Sequence, residues 1–169
     1  MNLLRHAASL GLEHWAIAAG TVRSAVWDSL HGYVRKTPPS DVDFIFYDSV
    51  RTMSEFEKDL DRRLTSLVPD VFWESVNQAT IHSYTGEAPY ASIPHAMSRW
   101  AETATAIGVY LDMNGRVCYY APHGLRDLME MIIRPHLVTP NSKQVYLDRI
   151  ASKDFLGKWP KLTIIMPTE

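Results

Sequence analysis

The sequence has few of the features that mark secreted, membrane or disordered proteins. It contains a single cysteine, Cys118, which excludes an internal disulfide and is expected to be a buried thiol in a reducing compartment. No apolar run approaches the roughly 20 residues of a membrane-spanning helix, and charged residues interrupt the first segment too often for a secretory signal. With 46% hydrophobic and 21% charged residues, the chain is expected to be a globular, cytoplasmic protein.

Neither positive nor negative charge predominates in the sequence. The 17 lysines and arginines nearly balance the 19 aspartates and glutamates, which leaves a formal net charge of -2. Because such a protein has no overall attraction for polyanions, contact with nucleic acid requires a local basic patch. Neither long nucleic acid nor a membrane is therefore an expected partner.

Helices and strands are predicted to alternate through the first half of the chain. Hydrophobic spacing predicts a helix at the N-terminus, a strand at 14–20, a helix at 21–33, a strand at 41–48, a helix at 54–68 and a strand at 71–81. Ser54 and Glu57 have the spacing of a capping box, and Pro69 follows the end of that helix.

The second half is predicted to add a hairpin and further helices. The predicted elements are a helix at 94–103, a hairpin at 106–122 around Asn114-Gly115, a helix at 124–134 and a helix at 145–155. Since no repeat or low-complexity tract divides the chain, residues 1–169 are predicted to form one α/β (α+β) domain. Its core spans about 12–80, with a C-terminal extension at about 90–169, and its small mixed sheet is flanked by helices.

Two aspartates open the second predicted strand. Asp41 and Asp43 are two residues apart, so their side chains point to the same face and lie roughly 6 to 7 Å apart. Carboxylates this close repel each other unless a cation lies between them, and oxygen ligands suit Mg²⁺ or Mn²⁺. The strand is apolar on both faces beyond the aspartates, which predicts a central position with the carboxylates at its entry end. A solvent-facing strand end is the alternative.

Glu74 places a third carboxylate on an apolar face of the next predicted strand. In the segment VFWESV it alternates with Phe72 and Val76, and a buried charge requires a partner. If this strand pairs with the preceding one, Glu74 completes a three-carboxylate cluster suited to two-metal phosphoryl or nucleotidyl transfer. An exposed or edge-strand glutamate is the alternative.

Gly20 and Thr21 lie between the first predicted strand and its helix. Backbone N–H groups at such a turn bind phosphate, and the threonine hydroxyl adds a donor, although strand-to-helix glycines are also common for steric reasons. Arg23 either reaches the same anion or covers the helix. Asn77 and His82 are candidates to line the pocket. For Asn77, stabilisation of a turn is the alternative.

These features together resemble the DNA polymerase beta-like nucleotidyltransferase superfamily. The shared pattern is an apolar strand, a glycine-hydroxyl pair, a helix, Asp-x-Asp opening a strand, and a further acid on a neighbouring strand; here it reads AAGT, SDVDF and FWES. The segments AAGTVRSAVWDSLHG, SDVDFIFYD, WESVNQATIH, ETATAIG and APHGLRDL are similar to a bacterial family of nucleotidyltransferase-like proteins, over nearly the whole chain.

The resemblance implies a role for each residue. Asp41, Asp43 and Glu74 would bind Mg²⁺ or Mn²⁺, and Gly20 and Thr21 would contact a nucleoside triphosphate. Thr21 stands where serine is commoner and Glu74 where aspartate is commoner, which leaves the metal geometry and the base role of Glu74 open.

The leading hypothesis is transfer of a nucleoside monophosphate to a hydroxyl group of a small molecule, a protein or an RNA end. The alternative is a non-catalytic nucleotide sensor or partner-binding protein on the same scaffold. Haloacid-dehalogenase-like phosphatases and many glycosyltransferases also use Asp-x-Asp but place the apolar strand before the acids, whereas here it follows them.

Overall fold

The computed structural model describes residues 1–168 and centres on a five-stranded sheet flanked by helices. Its elements are α1 (Asn2–Ala8), β1 (Trp15–Ala18), α2 (Ala19–Leu30), β2 (Val42–Phe46), α3 (Ser54–Leu67), β3 (Trp73–Asn77), α4 (His82–Thr85), α5 (Ile93–Met97), β4 (Gly108–Leu111), β5 (Val117–Tyr120), α6 (Arg126–Met129), β6 (Ile132–Ile133), α7 (Ser142–Ser152), α8 (Phe155–Lys158) and β7 (Thr163–Ile164). The predicted order of the first six elements is confirmed.

The sheet has the strand order β3-β2-β1-β4-β5 and is mixed, as predicted. Strands β2 and β3 run parallel, whereas the other neighbours are antiparallel. The two short strands β6 and β7 form a separate parallel pair. None of the helices within residues 1–168 combines the length and the apolar character needed to cross a bilayer.

Strand β2 is covered on both faces, which confirms its predicted central position. Val42, Phe44 and Phe46 are almost fully buried against residues of α1 and α3, such as Leu4 and Leu60. On the opposite face Ile45 packs with Ala16 and Ala18 of β1 and with Ile93 and Met97 of α5. These contacts fix the rotation and the register of β2 at its start, where the two aspartates lie.

The capping box predicted at the start of α3 is wrong, although the helix is present. Met53 is the N-cap, and within the described chain the hydroxyl of Ser54 bonds to the carboxylate of Glu55. Glu57 instead accepts the backbone N–H of Asn77 at 2.7 Å, and Asp61, one turn later, accepts the backbone N–H of Ser75 at 2.7 Å. Since β3 is the last strand of the sheet, its outer backbone N–H groups have no neighbouring strand to bond to. Two carboxylates of α3 accept their hydrogen bonds instead.

The hairpin around Asn114-Gly115 is confirmed by β4 and β5, but the helices predicted at 94–103 and 124–134 are shorter than expected. Residues 94–103 form only α5, and residues 124–134 form only the single turn α6. Met131 then takes a left-handed conformation at φ 56°, and the chain continues into β6. The reason is non-local, since β6 pairs with β7, some 30 residues further on. The helix predicted at 145–155 is α7, which begins at Ser142 and ends at Ser152.

A second apolar cluster joins α2 to the C-terminal part of the chain. Trp27 is fully buried, and its ring lies 6.1 Å from that of Phe155 and 5.4 Å from that of Trp159. Its indole N–H donates to the carbonyl of Leu128 at 3.0 Å. These contacts hold α6 and α8 beside α2. Cys118 is only half-buried, which corrects the expected burial, because β5 is an edge strand.

Candidate metal and nucleotide site

Asp41 and Asp43 lie at the entry of β2 with their carboxylates on one side of the sheet. The hydroxyl of Thr21 donates to the backbone carbonyl of Asp41 at 3.0 Å, which ties α2 to the start of the strand. The hydroxyl of Ser40 bonds to the side chain of Asp41. Alternation along the strand then sends Asp43 to the same face as Asp41.

Glu74 joins this pair because β3 lies parallel to β2. Asp43 and Glu74 are direct register partners, so side chains that are 31 residues apart in sequence lie side by side. One carboxylate oxygen from each of Asp41, Asp43 and Glu74 lies within 4.8 Å of the other two. The predicted convergence of three acids is confirmed.

The surroundings of Glu74 differ from those expected. Glu74 is exposed rather than buried, and Phe72 on the same face is 70% exposed. The physical reason is that β3 is an edge strand whose other face, carrying Trp73, Ser75 and Asn77, packs inward. The third acid therefore faces solvent on one side and the aspartate pair on the other.

Burial and the neighbouring acids together perturb the carboxyl group of Asp43. Burial, followed by the neighbouring charges of Asp41 and Glu74, raises the pKa of Asp43 to about 6. A divalent cation between these oxygens would remove the repulsion, and clustered carboxylates are the ligands that Mg²⁺ and Mn²⁺ prefer. The donor set thus fits a hard divalent cation.

The acids form one wall of a cavity of about 740 Å³. Its floor includes Ala19 and Gly20, which begin α2, so the glycine lies in the first helical turn rather than in a loop before it. Ala19 takes a positive φ of 52° to make this tight entry into the helix. The backbone at the start of α2 therefore faces the space in front of the aspartates, as an anion site requires.

Arg23 lies inside the cavity wall rather than on the helix surface. Its guanidinium is 4.9 Å from the centre of the Phe155 ring, donates to the hydroxyl of Thr105 at 2.8 Å, and lies 3.7 Å from the carboxylate of Glu102. Burial lowers the pKa of Arg23 to about 10, despite the nearby Glu102. Arg23 remains a cation at neutral pH and faces the cavity.

The other predicted nucleotide contacts are less well placed. The Thr21 hydroxyl is already committed to Asp41. Asn77 pairs with Phe46 at the far end of β3 and is 1% exposed. Its side-chain amide donates to the carbonyls of Asp48 and Arg51 and does not reach the cavity, because Asn77 lies on the face of β3 opposite to Glu74. The structure thus corrects the placement of Asn77, which stabilises a loop.

Four cations of the cavity wall were missed by the sequence prediction. They are Arg99, Arg149, Lys153 and Lys158. Arg149 and Lys153 are one helical turn apart at the end of α7, and both act on the carboxylate of Asp43 across the cavity. Their spacing of four residues is the only sequence signal, and surface helices show the same spacing very often.

Glu102 organises this basic wall. Its side chain is 1% exposed, and it bonds to the guanidinium of Arg149 on one oxygen while Thr105 and Arg23 lie at the other. A buried carboxylate between two arginines fixes both guanidiniums at the cavity surface. Sequence reasoning gave no role to Glu102, because the partners come from α2 and α7, 79 and 47 residues away.

Comparison with known proteins agrees with this site. A family profile described as Nucleotidyltransferase matches residues 5–164, so the chain belongs to that nucleotidyltransferase family. A solved structure described as revealing a CCA-adding enzyme head domain is 30% identical with a TM-score of 0.83; the match covers 98% of this chain and 88% of the other. The fold class predicted from the sequence is confirmed.

Two structures of a tRNA-processing enzyme share the fold. One, solved with CTP, is 21% identical with a TM-score of 0.59, and the match covers 96% of this chain and 43% of that one. The other, an apo form, is 24% identical with a TM-score of 0.55, and the match covers 96% and 44%. This chain thus spans less than half of those enzymes. None of the curated proteins matches the sequence.

Proposed function

We propose that this protein transfers a nucleoside monophosphate from a nucleoside triphosphate to a hydroxyl group of an acceptor. The observation that carries the proposal is the cavity itself, in which a cluster of three carboxylates faces a wall of arginines and lysines. Membership of a nucleotidyltransferase family supports it. We place the reaction in the cytoplasm, where the single cysteine would remain reduced.

Asp41, Asp43 and Glu74 would hold Mg²⁺ or Mn²⁺. The bound cation would neutralise charge that develops on the transferred phosphate. Asp41 and Asp43 are fixed by β2, whereas Glu74 has a solvent-facing side from which a hydroxyl group approaches. Glu74 is therefore the residue placed to accept the proton of that hydroxyl group.

The opposite wall binds the polyphosphate. Arg149 and Lys153 face the aspartates from α7. Arg23 belongs to α2 and lies against α8, and Glu102 balances only part of its positive charge. The first turn of α2, at Gly20, adds backbone donors. Thr21 supports the site indirectly, because its hydroxyl donates a hydrogen bond to the backbone carbonyl of Asp41.

Calorimetric titration with ATP, CTP, GTP and UTP, in the presence and absence of Mg²⁺, tests the proposal. We expect at least one triphosphate to bind with an Mg²⁺-dependent affinity that the double variant Asp41→Ala, Asp43→Ala loses. Asp70→Asn, an exposed aspartate in the turn before β3, is the matched control and keeps full binding. Failure of every triphosphate to bind, or unchanged binding by the double variant, would contradict the proposal.

Incubation of the protein with α-labelled triphosphates and a cell extract separates the enzyme from a nucleotide sensor. The enzyme attaches the label to an acceptor and releases pyrophosphate. Mg²⁺-dependent binding without any labelled product would identify the sensor instead.

A further inference from the structure

A second groove, of about 640 Å³, meets the cavity at Glu74. It runs along β3 between the start of α3 and the turn that contains α4, and Glu74 is the lining residue that it shares with the cavity. One side of the third acid thus faces the aspartate pair and the other faces a separate binding space. His82, for which sequence reasoning left a pocket role open, lines this groove.

The two spaces differ sharply in charge. The cavity is lined by five cationic side chains, whereas the described residues that line the groove include two carboxylates, Glu57 and Glu74, and no lysine or arginine. Phosphate groups are repelled from such a surface, because no cation compensates for the glutamates. The groove is unsuited to a phosphorylated ligand.

Hydroxyl groups dominate the rest of the groove. They belong to Thr52, Ser54, Ser75, Thr80, Ser83 and Tyr84. Thr52, Ser54, Ser83 and Tyr84 are exposed, so their hydroxyl groups are open to a ligand in the groove. A hydroxyl group both donates and accepts hydrogen bonds, which suits a ligand that itself carries hydroxyl groups.

We propose that this groove binds the acceptor, and that the acceptor is a small hydroxyl compound that carries no phosphate. The inference rests on the proposed function. In nucleotidyl transfer the acceptor approaches on the side opposite the leaving pyrophosphate. Since the basic wall of the cavity holds the polyphosphate, the acceptor enters past Glu74 from the groove.

The reaction that follows is balanced without a further reactant. The acceptor oxygen forms a bond to the α-phosphorus, while the bond from that phosphorus to the oxygen bridging the β-phosphate breaks. Pyrophosphate leaves with that electron pair. The proton of the acceptor hydroxyl moves to the Glu74 carboxylate.

The acceptor class is tested with the intact protein, Mg²⁺ and the triphosphate that binds most tightly in the calorimetric titration, labelled at the α-phosphate. Three acceptor pools are prepared from one cell lysate: RNA, small molecules that an anion exchanger retains, and small molecules that it does not retain. We expect roughly tenfold or more product in the unretained pool. Labelled product chiefly in the RNA or retained pool overturns the inference, and so does an absence of product in all three pools.

Calorimetry with ATP, CTP, GTP and UTP in the presence of Mg²⁺ on the same preparation distinguishes the two failures. If none of them binds, or if one binds and no pool is labelled, the proposed nucleotidyl transfer itself fails. If one binds and the label goes to RNA or to a phosphorylated compound, only the acceptor inference fails.

The position of the groove is tested by Ser83→Arg, which adds bulk and a cation there. Ser83 is exposed and its hydroxyl donates to the carbonyl of Thr80. The matched control is Ser66→Arg, because Ser66 is exposed on α3, donates to the carbonyl of Arg62, and lies outside both spaces. We expect Ser83→Arg to raise the KM for the acceptor roughly tenfold without changing ATP affinity. Equal acceptor KM values for the two variants would place the acceptor elsewhere.

Discussion

The two walls of the cavity come from different parts of the chain and are held by different means. The acidic wall belongs to neighbouring strands of the central sheet, where backbone hydrogen bonds set the register of Asp43 and Glu74. The basic wall is built mainly from α7, α8 and the segment before β4, and a single buried carboxylate, Glu102, orders two of its arginines, Arg23 and Arg149. The comparison teaches that the acids are positioned by the main chain and the cations by side-chain contacts. Variants on the two walls should therefore fail in different ways.

The largest effect is expected on the acidic wall. Asp43→Asn keeps the shape of the side chain but removes a charged oxygen from the cluster that would hold the cation. We expect nucleotidyl transfer, measured as pyrophosphate release, to fall by about a thousandfold or more while folding is retained. Asp70→Asn should keep wild-type activity. An active Asp43→Asn variant would show that the three acids are not the reactive centre.

The next largest effect is expected at the organiser of the basic wall. Glu102→Gln leaves the guanidiniums of Arg23 and Arg149 without their shared counter-charge, so the free energy of unfolding should fall by about 3 kcal/mol in urea titrations. The control is Glu130→Gln, which breaks an exposed pair with Arg126 and should cost less than about 0.5 kcal/mol. Equal losses in the free energy of unfolding for the two variants would show that the buried Glu102 network stabilises the fold no more than an exposed ion pair does.

These two walls also differ in how far the sequence predicts them. Asp41, Asp43 and Glu74 were found because strands impose a period of two and the acids interrupt apolar runs. The pairing of β2 and β3, on which the cluster depended, was only a condition at the level of the sequence, and the structure supplies it as a parallel pair. Arg149 and Lys153 were not found, because two basic residues on a helix resemble any solvated surface.

Asn77 shows a different limit. It was a candidate because it belongs to the family-like segment WESVNQATIH, whereas the alternation along β3 puts it on the face opposite to Glu74. The short helices α5 and α6 were overestimated for a related reason. Tertiary pairing of β6 with β7 overrides the local helical spacing of residues 124–134.

A smaller effect is expected when the cations of α7 are removed. Arg149→Ala combined with Lys153→Ala should weaken triphosphate binding by roughly 10- to 100-fold, because two charges facing the aspartates are lost. Calorimetry with ATP and Mg²⁺ measures this change. Lys143→Ala on the same helix is exposed and lies outside the cavity, so it should bind ATP normally. If both variants bind equally well, α7 does not contact the polyphosphate.

The smallest effect is a dependence of stability on pH in the absence of divalent cations. Because the pKa of Asp43 is raised from 3.8 to about 6, the folded state holds this proton more tightly than the unfolded state. The resulting stabilisation is present at low pH and is lost as the pH rises through 6. Asp43→Asn, which mimics the protonated acid, should therefore exceed the wild type in stability by about 1–3 kcal/mol above pH 7, with the difference shrinking below pH 5.

Urea titrations at pH 5, 6 and 7.5 with a chelator measure this difference. Added Mg²⁺ should reduce it, since the cation removes the repulsion among the acids. Asp70→Asn, an exposed aspartate, should follow the wild type at every pH. A constant gap between Asp43→Asn and the wild type would show that Asp43 does not titrate in this range.

The two carboxylates of α3 that bond to the backbone of β3 have a consequence for how this fold diversifies. Glu57 and Asp61 occupy the N–H groups through which an added strand would extend the sheet, so the sheet ends beside its third acid. The loops next to that border are then free to lengthen or change composition without shifting Asp43 relative to Glu74. Related proteins could thereby exchange one substrate for another while retaining the same chemical centre.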